Sequence, residues 1–119
     1  MAGADWRAAA PWVRDLAAKV QAPEEEVRRV LRKCAVQRQV YTIVKDLFFD
    51  RDTVKQWALE LQDLHARHGI IATAEFRDAI GIGRKRAIQV LEFFDRVGYT
   101  RRVPQGRIVR ADSGWHESA

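Results

Sequence analysis

Between Gly81 and Arg86 the chain reads Gly-Ile-Gly-Arg-Lys-Arg, two spaced glycines followed at once by three cations. Two chemistries use such a pattern. A glycine-rich loop can cradle the phosphates of a nucleotide, and a cationic helix start can hold the phosphates of a nucleic acid. The nucleotide loop fails on its context. The G-x-x-x-x-G-K-[ST] arrangement needs a hydroxyl residue after its lysine, and Arg86 follows Lys85. The G-x-G-x-x-G arrangement needs a third glycine where Arg86 stands. A turn between two helices fits better, with Ile82 free to plug the core and the second helix presented to nucleic acid.

That second helix is expected from Arg84 to Val97, stopped by Gly98. At 100° per residue, Ala87, Val90, Leu91, Phe94 and Val97 share one broad apolar face. Lys85, Gln89, Glu92 and Arg96 hold the opposite face, where Glu92 repels phosphate. Contacts are therefore expected at the helix start, on Arg84, Lys85, Arg86 and Gln89, where the backbone N–H groups and the dipole add their own attraction. Tyr99 to Val103 reads as a strand, Pro104-Gln105-Gly106 as a turn and Arg107 to Arg110 as the return strand. This hairpin adds Arg101, Arg102, Arg107 and Arg110, and Tyr99 is expected to stack on a splayed base.

The charge distribution points the same way. The 119-residue chain carries a formal net charge of +5, and arginine supplies 16 of its 21 basic residues. Residues 83 to 110 hold eight basic and two acidic residues, residues 51 to 82 four and five, and the first fifty nine and seven. The excess thus sits on the last helix and hairpin, an electrostatic footprint for nucleic acid. Arginine favours bidentate contacts to phosphate and guanine. Compositional bias of the genome also inflates arginine, so the placement carries the argument more than the count.

The elements that must position these residues follow from periodicity. Val13, Leu16, Ala17 and Val20 make one helical stripe. Pro23 opens a second helix, with Glu24, Glu25 and Glu26 at the positive end of its dipole. Val40 to Phe49 reads as a hairpin broken at Lys45-Asp46. Asp50 or Asp52 is expected to cap a third helix with Val54, Trp57, Ala58, Leu61 and Leu64 on its apolar face, ended by Gly69. Ile70-Ile71 reads as a short strand and Thr73 as the cap of a brief helix to Ile80. The second half is then helix, strand, helix, helix, hairpin, the winged-helix variant of the helix-turn-helix. The first half supplies the last two helices and hairpin of the same unit, its leading helix falling to residues 3 to 10. The fold class is mainly α, with small β-hairpins. We read two tandem winged-helix modules, 1–50 and 51–111, with a tail at 112–119. The absence of a flexible linker at their joint restricts their relative orientation.

Other chemistries find little support. His65 and His68 lie close in sequence but lack a third ligand, since Cys34 is in the other module and His116 in the tail. They are expected to answer the helix C-terminal dipole, and no metal is expected. Ser113 and Ser118 have no base nearby, and Glu24 to Glu26 are explained by the helix start, so no catalytic residue is expected. Trp6, Trp12 and Trp57 could stack on bases, yet core is the plainer role, and Trp12 could also pack between modules. One of Phe48 and Phe49 is expected at the joint. A single cysteine, Cys34, excludes an internal disulfide and suits a reducing compartment. No apolar run approaches a membrane span and the N-terminus lacks a signal pattern, so a cytoplasmic, monomeric protein is expected.

A resemblance sharpens this reading. Glu75-Phe76-Arg77-Asp78, Gly81, Gly83-Arg84-Lys85-Arg86-Ala87, Leu91 to Gly98 and Thr100-Arg101-Arg102 resemble the last winged-helix domain of the bacterial selenocysteine-specific elongation factors. Val13-Arg14-Asp15-Leu16-Ala17 and Asp46-Leu47-Phe48-Phe49 resemble the adjacent winged-helix domain. The likeness covers roughly residues 10 to 111 and is more specific in the second half. It implies the RNA-binding end of a translational GTPase whose last domain binds the mRNA hairpin that recodes UGA as selenocysteine. GTP, magnesium, the ribosome and selenocysteyl-tRNA would belong to domains outside this chain, leaving no cofactor here. By position, the family's RNA-holding roles would fall on Arg84, Lys85, Tyr99, Arg101, Arg102 and Arg107. The chain departs at Ile82-Gly83, where relatives often carry a small hydroxyl residue, so the helix has no side-chain cap. The alternative is a winged-helix regulator reading duplex DNA through Lys85 and Gln89. A third reading confines the module to protein contacts.

Overall fold

The structure, a computed structural model, describes residues 12 to 110. Helix α1 spans Val13–Val20, α2 Glu24–Val36, and strands β1 Val40–Val44 and β2 Leu47–Asp50 complete a first unit. Helix α3 covers Arg51–His68, α4 Thr73–Ile80 and α5 Arg84–Arg96, before strands β3 Thr100–Val103 and β4 Gly106–Val109. The boundary between two compact units falls between Val54 and Lys55, in the first turn of α3. The sequence placed it near residue 50. At the start of α3 the Arg51 N–H donates to the Gln39 carbonyl at 2.9 Å.

The same plan is used twice. The α1 start at 13 recurs as the α4 start at 73, the α2 start at 24 as the α5 start at 84, and the β1 start at 40 as the β3 start at 100. Each displacement is 60 positions (13 to 73, 24 to 84, 40 to 100). In each unit the helix pair ends its first member on a left-handed residue, Gln21 at φ 58° and Gly81 at φ 69°. Only glycine adopts that conformation without a Cβ penalty, so the second turn is the less strained.

In the first unit, Val13, Ala17, Val27 and Phe48 form one core cluster, with Leu16, Ala22, Leu31 and Val40 packed against it, and Ile43, Leu47 and Val54 are fully buried as well. Phe48 is thus a core residue of its own unit. Phe49 is buried as well. The hairpin is antiparallel, Tyr41 opposite Phe49, with an irregularity between Thr42 and Val44. Half-buried Trp12 adds a bridge to Leu47, and the Val13 N–H donates to the Asp46 carbonyl at 2.9 Å. Trp12 therefore extends the hairpin of its own unit. Val20 and Val30 are 55% and 50% exposed, whereas Ile80 and Val90, at the same registers of the second unit, are 2% and 0%. The expected leading helix at residues 3 to 10, Trp6 and the tail residues Ser113, His116 and Ser118 lie outside the described residues.

Among the described residues the second unit buries more large apolar side chains. Trp57 and Leu61 of α3, Ile71, Phe76 of α4, and Val90, Leu91 and Phe94 of α5 are fully buried. Each such side chain contributes about 1.5–3 kcal/mol of burial free energy. Phe93 is also buried, although it lies at the edge of the apolar stripe. Its ring meets Phe94 edge-on at 5.1 Å and lies 5.7 Å from the Arg96 guanidinium carbon. One helix start agrees with the sequence reading and one differs. Asp50 precedes α3 and accepts the Thr53 hydroxyl at 2.6 Å. Thr73 is the first helical residue of α4 rather than its cap. Ala72 holds the cap position, and Glu75 reaches back to accept its N–H at 3.1 Å.

The wing of the second unit is more than a hairpin. Strands β3 and β4 pair antiparallel, Arg101 opposite Ile108 and Arg102 opposite Arg107. Ile71 then pairs with Arg107 by two backbone bonds of 2.8 and 3.0 Å. Ile70, expected in the same strand, does not pair and is 37% exposed. Gly106 is required where it stands, since a Cβ there would lie 2.2 Å from the Ile71 carbonyl oxygen.

Candidate nucleic-acid interface

The expected interface is built on α5 and the wing. Helix α5 starts from Gly83, an extended residue at φ −69° and ψ 164°, with no side chain capping it. Arg84 and Lys85 are exposed in its first turn, beside the backbone N–H groups of the positive dipole end. The first turn of α5 holds no acidic residue. On β3, Arg101 and Arg102 are both exposed. Arg96 is exposed in the last turn of α5.

The remaining expected residues are placed differently. Arg86 is half-buried, and its Nε donates to the Gln89 Oε1 at 3.1 Å. Burial lowers the Arg86 pKa, though the guanidinium stays protonated. Gln89 is half-buried too, so its carbonyl oxygen serves Arg86 rather than facing outward. Tyr99 is a correction to the stacking expectation. It is 8% exposed, its ring packs 5.5 Å from that of Phe94, and its hydroxyl donates to the Ala58 carbonyl at 3.0 Å. A ring held on both counts is not presented to a base. The same burial pushes the Tyr99 phenol above its ordinary pKa.

Arg107 is the second correction. It is 5% exposed, and its guanidinium grips Asp95, Nη2 to Oδ2 at 3.0 Å and Nε to Oδ2 at 3.1 Å. The Thr100 hydroxyl donates to the other carboxylate oxygen at 2.6 Å. A desolvated, paired arginine is a structural cation, not an open phosphate contact. Arg110 is half-buried and lies over Gly98, with its N–H bonded to the Tyr99 carbonyl at 2.9 Å.

Asp95 is the residue the sequence reading missed. The signal was present: a carboxylate in the last turn of a helix opposes the dipole, so a specific partner is expected. Arg107, twelve residues on, is that partner.

The first unit inverts the chemistry at the same register. Glu24, Glu25 and Glu26 open α2 where Arg84, Lys85 and Arg86 open α5. Arg28 does not point its charge outward there. Its Nε and Nη2 bind the two Asp46 oxygens at 2.8 and 3.0 Å, and Nη1 meets Glu25 at 3.0 Å. This hydrogen bonding holds the Asp46 carboxyl below its ordinary range. Arg29 is paired to Glu26 at 2.9 Å. The start of α2 thus carries carboxylates where the start of α5 carries cations.

Among the described residues no group of three or more His, Cys, Asp or Glu is placed to hold a metal ion. His68 instead lies 3.6 Å from the Glu75 carboxylate. No helix of the described residues is long and apolar enough to cross a membrane.

Comparison with known proteins agrees with this layout. The family model for elongation factor SelB, winged helix, matches residues 63–109. The model for the winged-helix domain of the selenocysteine-specific elongation factor matches residues 3–49. The two matches repeat the 60-position displacement (3 to 63, 49 to 109). The selenocysteine-specific elongation factor of Escherichia coli (strain K12) is 42% identical over 99 residues, 83% of this chain and 16% of that protein. That of Haemophilus influenzae is 34% identical over the same shares. The chain therefore spans about a sixth of the length of these relatives. Among solved structures, the mRNA-binding domain of elongation factor SelB from E. coli in complex with SECIS RNA superposes with a TM-score of 0.80 at 42% identity, covering 83% of this chain and 82% of that one. A bacterial EF-Sec structure, 20% identical with a TM-score of 0.64, shares the fold over 82% of this chain and 18% of its own. Two winged-helix units in register with both family models, and this identity across most of a solved relative, place the chain in the SelB family of selenocysteine-specific elongation factors, within its winged-helix region.

Proposed function

We propose that this chain binds an mRNA hairpin of the SECIS class and so directs selenocysteine incorporation. The observation that carries this reading is its 42% identity, over 83% of its length, with an mRNA-binding domain whose structure was solved in complex with SECIS RNA. The charge layout supports it. Arg84 and Lys85 at the uncapped start of α5, with Arg101 and Arg102 on β3, offer exposed cations to phosphate. Phosphate contacts supply affinity and position, while bases exposed in the hairpin loop supply specificity.

The first unit serves as a spacer or interface, because its equivalent helix opens with three glutamates. Binding, not catalysis, is the role of this chain. GTP with its magnesium ion, the ribosome and selenocysteyl-tRNA engage other parts of the longer factor, which acts in the cytoplasm. The binding chain works as a monomer.

A gel shift of the 119-residue chain against a SECIS hairpin, at one stated salt concentration, tests the reading. Single changes of loop bases that are read directly should each weaken binding by about 1–3 kcal/mol. Equal or tighter binding to arbitrary duplex DNA overturns it in favour of a DNA-binding winged helix.

A further inference from the structure

The buried Asp95–Arg107 pair joins three elements. Asp95 belongs to the last turn of α5 and Arg107 to β4, and the backbone of Arg107 is bonded in both directions to Ile71, which precedes α4. Thr100, the first residue of β3, donates its hydroxyl to the same carboxylate at 2.6 Å. One carboxylate thus holds the first residue of β3 and the second residue of β4 to the end of α5.

The register explains why this matters for RNA. Arg102 and Arg107 are direct cross-strand partners. Directly opposed like charges destabilise a two-stranded ribbon. Asp95 neutralises Arg107 at 3.0 Å, and Arg107 is turned inward at 6% side-chain exposure, while Arg102 remains exposed. The pair therefore sorts two cross-strand arginines into one buried structural cation and one exposed cation.

We propose that Asp95, Arg107 and Thr100 form a positioning device that fixes the wing against α5 and so presents Arg101 and Arg102 to RNA, with Arg107 making no RNA contact of its own. This rests on the RNA-binding reading above. The exposed cations bind, and the buried trio sets where they stand.

Salt dependence separates positioning from direct binding. Removing one cation that touches phosphate reduces the slope of log affinity against log salt by about one unit. Affinity of the full chain for a SECIS hairpin is measured from low to moderate salt for four variants: Asp95→Asn, Thr100→Val, Arg107→Gln and Arg102→Ala. The first three should weaken binding roughly 2- to 30-fold, the range for residues acting through neighbours, with the slope unchanged. Arg102→Ala should lower the slope by about one unit. Thr100→Val removes only the 2.6 Å bond and keeps both charges, so it remains informative if Asp95→Asn folds poorly. A slope reduced by Arg107→Gln, or affinity unchanged in both Asp95→Asn and Thr100→Val, overturns the proposal. Amide hydrogen exchange reads the device without RNA. Faster exchange at Ile71 and Arg107 in Asp95→Asn is expected, and unchanged exchange refutes the positioning role. A wild-type chain that ignores the hairpin while its variants still loosen the wing would sink the RNA reading alone.

Discussion

The hydroxyl of Tyr99 donates to the backbone carbonyl of Ala58 at 3.0 Å, joining the start of the wing to α3 across 41 positions of sequence. Tyr99 is thereby a core residue with a polar tip, fixed by Phe94 on one side and α3 at the other.

Replacing Tyr99 by phenylalanine should cost stability and spare RNA. The ring still packs on Phe94, and the Ala58 carbonyl, inside α3, loses one donor but keeps its helical bond. The expected loss is about 0.5–1.5 kcal/mol, read from the urea midpoint. Hairpin affinity should stay within twofold of wild type, as judged by gel shift, because no base stacks on this ring. A large affinity loss at unchanged stability would restore the stacking role.

Gly106→Ala should be among the most damaging single-methyl additions in the chain. The new Cβ would lie 2.2 Å from the Ile71 carbonyl oxygen and 2.9 Å from its carbon. Neither atom is the end of a flexible side chain, so the Ile71–Arg107 bridge must open. We expect a destabilisation of at least about 2 kcal/mol in thermal unfolding, together with weaker protection of the Ile71 amide. Gly69→Ala is the control. Its φ of 81° strains alanine, but no atom lies within 4 Å, so only about 1–2 kcal/mol is at stake.

These two sites show where the sequence was legible. Helix and strand identities followed from periodicity, and the 60-position repeat is consistent with that plan. Exposure of Arg84, Lys85, Arg101 and Arg102 agrees with their expected place at a helix start and on a wing. What could not be read was direction. Tyr99 and Arg107 have side chains that suit an RNA surface, yet both turn inward because partners from distant positions, Ala58 and Asp95, satisfy them. Phe93 was missed for a related reason: an aromatic edge residue broadens the buried face beyond the ideal stripe. The Thr73 cap failed because Ala72 holds the cap position, where Glu75 reaches back from inside the helix to accept its N–H.

The Arg28–Asp46 pair predicts a pH signature for the first unit. Hydrogen bonding to Arg28 lowers the Asp46 pKa below its ordinary 3.8. A depressed carboxyl stabilises the folded state above the unfolded pKa and loses that stabilisation as pH falls through the folded value. Wild type should therefore exceed Asp46→Asn in urea midpoint at pH 6, with the gap closing as pH falls below about 4. Asparagine tolerates the left-handed backbone at this position, φ 63°, so the turn itself is kept. A gap that stays constant between pH 6 and 2 would remove charge from the explanation.

Arg84→Ala with Lys85→Ala should separate electrostatics from fold. Both side chains are exposed in the first turn of α5, so stability should move by less than about 0.5 kcal/mol. The salt slope of hairpin binding should fall by about two units, one for each cation taken from phosphate. An unchanged titration would refute a binding site at this helix start.

Gly83→Asp should move stability and binding in opposite directions. Gly83 is already extended, φ −69° and ψ 164°, and a Cβ there meets nothing within 4 Å, so the substitution carries no steric cost. An aspartate at this position can accept from the N–H groups of the first turn and complements the helix dipole. The helix should gain about 0.3–1 kcal/mol, seen as a raised urea midpoint. The same carboxylate would stand beside Arg84 and Lys85, offset their charge and occupy the amides that face phosphate. Hairpin affinity should therefore fall, and the fall should shrink as salt screens the added charge. Gly83→Ser isolates the two effects, since it caps without charge: it should keep most of the stability gain and most of the affinity. If Gly83→Asp binds RNA as well as wild type while its midpoint rises, phosphate does not approach this end of α5, and the wing arginines alone carry the interface.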